Sequence, residues 1–235
     1  MDEPPSASRT ARSRARAVLT REIKEAARAQ LSDEGAGALS LRRVARALGM
    51  ASSALYRYFP SRDELLTALI VDAYDAVGTA AEQADAACEP TDRLGRFRAV
   101  CRAVRHWALE HPAEYALIYG SPVPGYRAPF DTVGPATRVG AVLGRLLDAT
   151  SPAELGAGPG PLPPALSEEL LGLSRSLGSA VPAEVMLRGL IVWSSLFGSI
   201  SFELFGHFHN VVEDLDAYFE EVIDRLAGFA GLVAR

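Results

Sequence analysis

The side chains with the most chemistry to offer lie close together between Leu39 and Leu69, and they are arginines, serines and tyrosines. Guanidinium groups pair with phosphates, and hydroxyl groups can donate or accept a hydrogen bond. The charge distribution favours a polyanion as partner: residues 1–60 carry 11 basic and 6 acidic side chains, whereas residues 61–235 carry 13 basic and 23 acidic ones. A basic N-terminal part on an acidic body predicts that one end of the molecule binds a polyanion.

A pair of short helices is predicted to hold these side chains. Ser40 can cap the first helix, and Gly49 follows its last turn, where helices often end in a left-handed conformation. Residues 52–59 form the second helix, which Pro60 ends. Two helices joined by a tight glycine turn are the arrangement that places the second helix in the major groove of DNA. The apolar face of the first helix is formed by Leu41, Val44, Ala45 and Leu48.

Longer helices flank this pair. The first helix of the chain is predicted at about residues 11–32, and Ser61 with Glu64 has the S-x-x-E spacing of a capping box that opens another helix at Arg62. Beyond Glu89 every apolar pattern is helical, so the predicted fold class is all-α. The expected domains are a disordered arm at 1–10, a helix-turn-helix domain at 11–68 and a larger helical body at 69–235.

The stretch from Val44 to Leu66 resembles the DNA-binding domain of the TetR/AcrR family of bacterial transcriptional regulators. The resemblance rests on VARALGM at 44–50, on LYRYFPSRDELL at 55–66 and on Gly35 after the first helix, and it covers about the first third of the chain. A bare helix-turn-helix pattern is unspecific, whereas LYRYF beside a capping box is specific. Arg62 stands where the family usually has lysine, and either side chain can reach a DNA phosphate.

The resemblance implies that the charged and tyrosine side chains of this region contact the DNA backbone. Arg42 and Arg62 would pair with phosphates, and Arg43 would add positive charge. Tyr56 and Tyr58 would contact the backbone as well. Phosphate contacts would supply most of the affinity, so binding should weaken steeply with salt.

The smaller side chains of the second helix would lie near the bases. Ser52 and Ser53 would lie near bases or phosphates, and a hydroxyl discriminates bases poorly, whereas Ala54 could touch a thymine methyl group. Leu55 and Phe59 are expected in the core instead. The DNA-binding candidates are therefore Arg42, Arg43, Ser52, Ser53, Ala54, Tyr56, Tyr58 and Arg62.

Several arginines also precede or begin the first helix. They are either the solvated start of a frayed helix or part of an arm that reaches phosphate or the minor groove. Their positions are 9, 12, 14 and 16.

The last two helices, within about residues 182–233, are predicted to form a homodimer interface. The first of them is apolar on almost every side, so one face can pack on its own domain and another on a second copy. The resemblance implies the same, because the family dimerises through a four-helix bundle of these helices, although a purely intramolecular core helix is the alternative. The heptad-like seams are Met186, Leu190, Trp193, Phe197, Ile200 and Leu204, then Phe208, Val212, Leu215, Phe219, Val222, Leu226, Phe229 and Val233.

The resemblance further implies an effector pocket for a small hydrophobic or amphipathic ligand in the C-terminal domain. The segment from Val192 to Phe208 resembles the subgroup marked by a Trp-His-Gly pattern, with Trp193 and Gly198 present and Phe197 in place of the histidine. Residues 151–164, rich in glycine and proline, are either a lid or a passive linker. Each pocket candidate is alternatively a plain core residue, and the candidates are Trp107, Tyr115, Tyr119, Phe130, Trp193 and Phe197.

Several classes of protein are not expected from this sequence. It has no run of 18 or more apolar residues and no N-terminal signal core, which predicts neither a membrane span nor secretion. Two cysteines make no disulfide framework, which fits a cytoplasmic location. Phosphate-binding loops, dinucleotide fingerprints and G-x-S-x-G motifs are absent, and Glu203 with His207 makes only a weak metal site, so no enzyme, cofactor or metal is expected.

These features predict an all-helical, homodimeric DNA-binding regulator, in its simplest form a repressor released from a near-palindromic operator by a ligand. Three alternatives remain: an activator on the same scaffold, an enzyme built in the helical body, and an interaction module that has lost DNA binding. The presence of Arg42, Tyr56 and Arg62 argues against the last of these.

Overall fold

The computed structural model describes residues 7–148 and 160–232, and these residues form helices joined by turns and loops, with no strand among them. The all-α prediction is confirmed. Two short 3-10 turns lie at Ala36–Ala38 and Phe130–Thr132. The helices are α1 (Ala7–Glu34), α2 (Leu41–Ala47), α3 (Ser52–Leu55), α4 (Arg62–Ala86), α5 (Arg93–Glu110), α6 (Pro112–Tyr119), α7 (Val133–Leu147), α8 (Pro164–Ser176), α9 (Ala183–Leu204) and α10 (Leu215–Phe229).

The predicted starts of α2, α3 and α4 agree with the observed ones, whereas α1 begins earlier than predicted. Helix α1 begins at Ala7, four residues before the predicted start at residue 11. Helix α7 begins at Val133 and tolerates Pro135 in its first turn. The remainder of the predicted arm (1–6) and most of the predicted lid or linker lie outside the described residues.

The helix ends follow local chemistry that the sequence already showed. Helix α2 closes at Gly49, whose φ is 64°, with the Met50 amide donating to the Ala45 carbonyl at 2.8 Å, as in a Schellman motif. Ser61 Oγ accepts from the Glu64 amide at 3.1 Å, and Asp92 Oδ1 accepts from the Gly95 amide at 2.8 Å. The predicted N-cap at Ser61 is confirmed, and Asp92 is the N-cap of α5.

Ser40 occupies the N-cap position of α2, but its side chain makes no capping hydrogen bond, so that part of the prediction is wrong. Its backbone amide instead donates to Gln30 Oε1 at 2.9 Å. Gln30 is buried on α1, and its amide oxygen acts as the acceptor that ties the start of α2 to α1.

The chain divides into two compact units, and the first consists of residues up to Ala73 together with Pro112–Thr132. The division falls inside α4, a few residues beyond the expected boundary at 68, and it adds α6 and the loop after it to the helix-turn-helix region. That segment contributes Ala113, Leu117, Val123 and Tyr126 to the packing around the core. The core itself consists of Ile23, Ala27, Leu31, Leu39, Leu41, Val44, Ala45, Leu55, Phe59, Leu65, Leu66 and Leu69.

Polar contacts hold the same segment in place within the first unit. Thr67 Oγ1 and Tyr126 Oη lie 2.9 Å apart. Arg28 donates from Nη2 to Asp72 Oδ2 at 2.7 Å and from Nε to Glu114 Oε1 at 2.9 Å, and Lys24 Nζ donates to Asp72 Oδ1 at 2.7 Å. These four charges are all partly buried, so Arg28 joins α1 to both α4 and α6.

The second unit, residues 74–111 and 133 onward, is built around α9, which packs against α5, α7, α8 and α10. Burial raises the pKa of the Cys101 thiol, which therefore stays neutral in the α5 core, as its place in an apolar stripe predicts. Arg138 of α7 donates to Asp75 at 2.8 Å and to Glu82 at 2.6 Å on α4. Gly78 permits this approach, because an added Cβ would lie 2.8 Å from Arg138 Cβ.

Helix α9 is the one described helix long and apolar enough to cross a membrane by length and composition alone, contrary to the expectation that the chain has none. The core helix of a soluble protein meets the same test. Its charged side chains are paired: Arg105 Nε and Nη2 donate to the two Glu203 oxygens at 2.8 and 2.7 Å, and Arg188 Nη1 donates to the Phe229 carbonyl at 2.7 Å. Glu203 is thus a hydrogen-bonded structural carboxylate.

Replacing Arg28 tests the three-helix ion cluster. Arg28→Met removes the shared partner of Asp72 and Glu114 and leaves two partly buried carboxylates with fewer donors, so we expect the free energy of unfolding to fall by about 1–2 kcal/mol in urea denaturation. Arg21→Met is the matched control, because Arg21 is largely exposed and meets only Glu25, at 3.7 Å. Equal stability of the two variants would contradict a stabilising cluster.

Candidate nucleic-acid interface

The second helix of the predicted pair is shorter than expected. Helix α3 covers only Ser52–Leu55, and turns continue the chain to Tyr58. We call Ser52–Phe59 the recognition segment. Leu55 and Phe59 are buried beneath it, as predicted, at 0% and 7% exposure. Because these two side chains anchor the segment, Tyr56 and Arg57 between them are exposed.

The outward side of the recognition segment carries Ser53, Tyr56 and Arg57, which are all exposed, while Ser52 and Ala54 are half-buried. Tyr56 is 44% exposed. Tyr58 is half-buried and packs against the core of the first unit. The surface therefore presents hydroxyl groups and one guanidinium, with small side chains between them.

Three arginines of this region are exposed and have no ion-pair partner among the residues that the structure describes. Arg42 and Arg46 lie four residues apart on the same side of α2, and Arg57 follows Tyr56. Sequence reasoning found Arg42 and missed the other two. The i, i+4 spacing from Arg42 could have indicated Arg46, and the position of Arg57 between two candidate tyrosines could have indicated Arg57.

Arg43 and Arg62, the other two arginines among the DNA-binding candidates, form hydrogen bonds with groups of the protein itself. Arg43 Nη1 donates to Glu34 Oε2 at 2.6 Å and Arg43 Nη2 to Glu34 Oε1, and these hydrogen bonds raise the pKa of Arg43. Arg62 Nε donates to the Leu39 carbonyl at 3.1 Å, and its Nη2 donates to the carbonyls of Ala36 and Gly37 at 2.9 and 3.2 Å. A planar guanidinium can serve three acceptors in this way, whereas a lysine offers a single charged point. Their phosphate contacts remain predictions.

The six effector candidates are divided between the two units. Tyr115, Tyr119 and Phe130 belong to the first unit, and Trp107, Trp193 and Phe197 to the second. Tyr115 is fully buried, with its ring centroid 5.1 Å from that of Tyr119.

Trp107 and Phe197 are buried as well, and the Phe197 ring centroid lies 5.5 Å from that of Trp193. Two candidates are surface residues in this structure, because Trp193 is 38% and Phe130 is 86% exposed. The effector role of all six remains a prediction.

Comparison with known proteins gives a consistent result along the chain. Residues 23–69 match the bacterial regulatory proteins of the tetR family, and residues 97–226 match the tetracyclin repressor-like C-terminal domain. The HTH-type transcriptional regulators Rv1816 of Mycobacterium tuberculosis and Mb1846 of Mycobacterium bovis are each 40% identical over 196 residues, covering 83% of this chain and 84% of theirs.

Solved structures share the same fold. The crystal structure of SCO4313, described as a regulatory protein, superposes with a TM-score of 0.77 at 36% identity, covering 92% of this chain and 98% of that one. PfmR, a TetR family transcriptional regulator from Thermus thermophilus, superposes with a TM-score of 0.54 at 21% identity, covering 86% and 97% of the two chains. The second of these similarities supports the fold alone.

The salt dependence of DNA binding tests whether the unpaired arginines contact phosphate. Arg46→Gln and Arg57→Gln should each lower affinity and reduce the slope of log K against log salt by about 0.9 for every phosphate that the variant no longer neutralises. Arg225→Gln is the control, because Arg225 is an exposed arginine of the second unit that pairs with Glu221. If the slope of log K against log salt is unchanged in both variants, Arg46 and Arg57 are not part of the interface.

Proposed function

The chain belongs to the TetR family of bacterial regulatory proteins, and from that premise we propose that it is a sequence-specific repressor released from its operator by a small hydrophobic ligand. Members of this family are DNA-binding transcriptional regulators. The observation that carries the proposal is the basic surface formed by Arg42, Arg46, Tyr56 and Arg57 on the helix-turn-helix, whose arginines have no ion-pair partner among the described residues. Exposed guanidinium groups without carboxylate partners are available to pair with DNA phosphates.

The recognition segment offers few groups that identify a base. Ser53 can donate or accept, and Ala54 can contact a thymine methyl, but neither makes the bidentate contacts that discriminate strongly between base pairs. Most of the affinity then comes from phosphates, and much of the specificity from the shape and deformability of the operator.

The dimer would form through α9 and α10. On these helices Leu190, Ile191, Trp193, Phe202 and Phe229 are between 38% and 51% exposed. Apolar surface of this extent on adjacent elements is typical of an interaction site, and the family acts as dimers. In each heptad-like seam some residues face the protein's own core and others face outward, which leaves one side of α9 for a second copy.

Release by a ligand would follow from two states of that dimer. In one, the two recognition segments lie about one helical turn apart on a near-palindromic operator, and in the other the spacing is wrong. A ligand can shift the equilibrium only by its preference for the second state. The aromatic candidates Trp107 and Phe197 of the second unit favour an apolar ligand. The Trp-His-Gly subgroup and a cytoplasmic location remain predictions.

Selection of bound sequences from random duplex DNA is the first test of the function. A near-palindromic motif at stated salt is the expected outcome, followed by loss of binding when the ligand is added. Retention without any motif would contradict sequence-specific regulation. A reporter gene behind the selected operator then distinguishes repression from activation by the sign of its change.

The oligomeric state tests the proposed dimer surface. Ile191→Glu places a charge on the exposed side of α9, so we expect a monomer in sedimentation velocity and a loss of operator binding of about tenfold or more. Leu177→Glu is the matched control, because Leu177 is 48% exposed at the C-terminal end of α8 and lies outside α9 and α10. A stable Ile191→Glu dimer would exclude this face as the interface.

A further inference from the structure

Arg16 of α1 reaches the end of the recognition segment. Its guanidinium carbon lies 5.0 Å from the centroid of the Tyr58 ring, and its Nη2 donates to the backbone carbonyl of Arg57 at 3.3 Å. One side chain thus makes an aromatic contact and a main-chain contact at two successive residues. Both residues belong to the recognition segment, and Arg57 is also part of the surface that the proposed function places against DNA.

The contacted carbonyl lies where the recognition segment needs support. Helix α3 has four residues, and so short a helix has almost no stability of its own. Its continuation depends on turn hydrogen bonds such as that from the Tyr58 amide to the Leu55 carbonyl, at 2.8 Å. Carbonyl groups at the end of a helical segment need donors from elsewhere, and Arg16 supplies one.

The partners of Arg16 are neutral, and this matters for a surface that faces a polyanion. The structure pairs Arg28 and Arg43 with carboxylates, whereas Arg16 is held by a ring face and a carbonyl oxygen. A carboxylate would fix the side chain equally well but would cancel its charge. The contacts observed here orient Arg16 and leave the positive potential of the surface intact.

We propose that Arg16 is a positioning residue for operator binding, which holds Tyr58 and the carbonyl of Arg57 in the geometry that meets the DNA backbone. The inference rests on the proposed function. It differs from the prediction that the arginines near the start of α1 reach phosphate or the minor groove. Arg16 acts on the recognition segment and needs no DNA contact of its own. A planar guanidinium can stack on the ring while one N–H reaches the carbonyl, and an ammonium cannot do both as well.

Arg16→Lys tests the positioning role because it retains the charge. We expect a loss of about threefold per half-site from the weakened stacking, hence about tenfold for a dimer, equivalent to about 1.4 kcal/mol. The salt slope should stay that of the wild type because the charge is retained. Arg14→Lys is the matched control, since Arg14 is an exposed α1 arginine without an ion-pair partner in the described part of the chain.

A double-mutant cycle with Tyr58→Leu distinguishes positioning from simpler roles. If Arg16 acts through the ring, Arg16→Lys should cost little further affinity once Tyr58→Leu is present. Additive losses would overturn the proposal. A second pattern would also overturn the proposal. If Arg16→Lys binds with wild-type affinity and the salt slope of Arg16→Met falls by about 0.9 per half-site, Arg16 contacts a phosphate directly.

Two further measurements complete the interpretation. Thermal unfolding of Arg16→Lys should match the wild type, and a lowered midpoint that accounts for the reduced affinity would overturn the positioning role. The wild-type protein is measured first on the selected operator. If the wild type yields no motif, the proposed function itself is contradicted. If the wild type binds the operator and Arg16→Lys binds it equally well, only the positioning role of Arg16 is contradicted.

Discussion

The recognition segment depends on burial beneath a helix that is too short to be stable alone. Helix α3 has four residues, and Leu55 with Phe59 fixes it to the core of the first unit. The left-handed turn at Gly49 sets the direction in which the chain leaves α2 and enters α3. Every exposed side chain of the recognition segment takes its position from these few buried contacts.

Arginine is used in two different ways around this core. Arg28, Arg62 and Arg138 join elements together through carboxylates and carbonyls. Arg42 and Arg46 have no such partner within the described residues and leave the surface positive. The difference lies in which groups the fold brings next to each guanidinium. For that reason the sequence could assign Arg42 and Arg62 to the same task, although the structure gives them different surroundings.

Local signals were predictable from the sequence and long-range packing was not. The helices, the caps at Ser61 and Asp92 and the turn at Gly49 all follow from residues within one or two turns of each other. The contact of Tyr126 with Thr67 joins residues far apart in the chain and leaves no periodic trace. The ion pair of Glu203 with Arg105 could not be predicted in the same way, since the two residues lie on different helices.

The segment 112–132 shows that the DNA-binding part is discontinuous in sequence. Its apolar side chains complete the packing around the helix-turn-helix core, and Glu114 joins the ion cluster of Arg28. A gene fusion that exchanges the sensing domain of a regulator by one cut after the helix-turn-helix assumes that the DNA-binding part is continuous. In this protein a single cut would leave the apolar side chains that pack against the hydrophobic core with the wrong fragment, so a functional hybrid has to be spliced at three places.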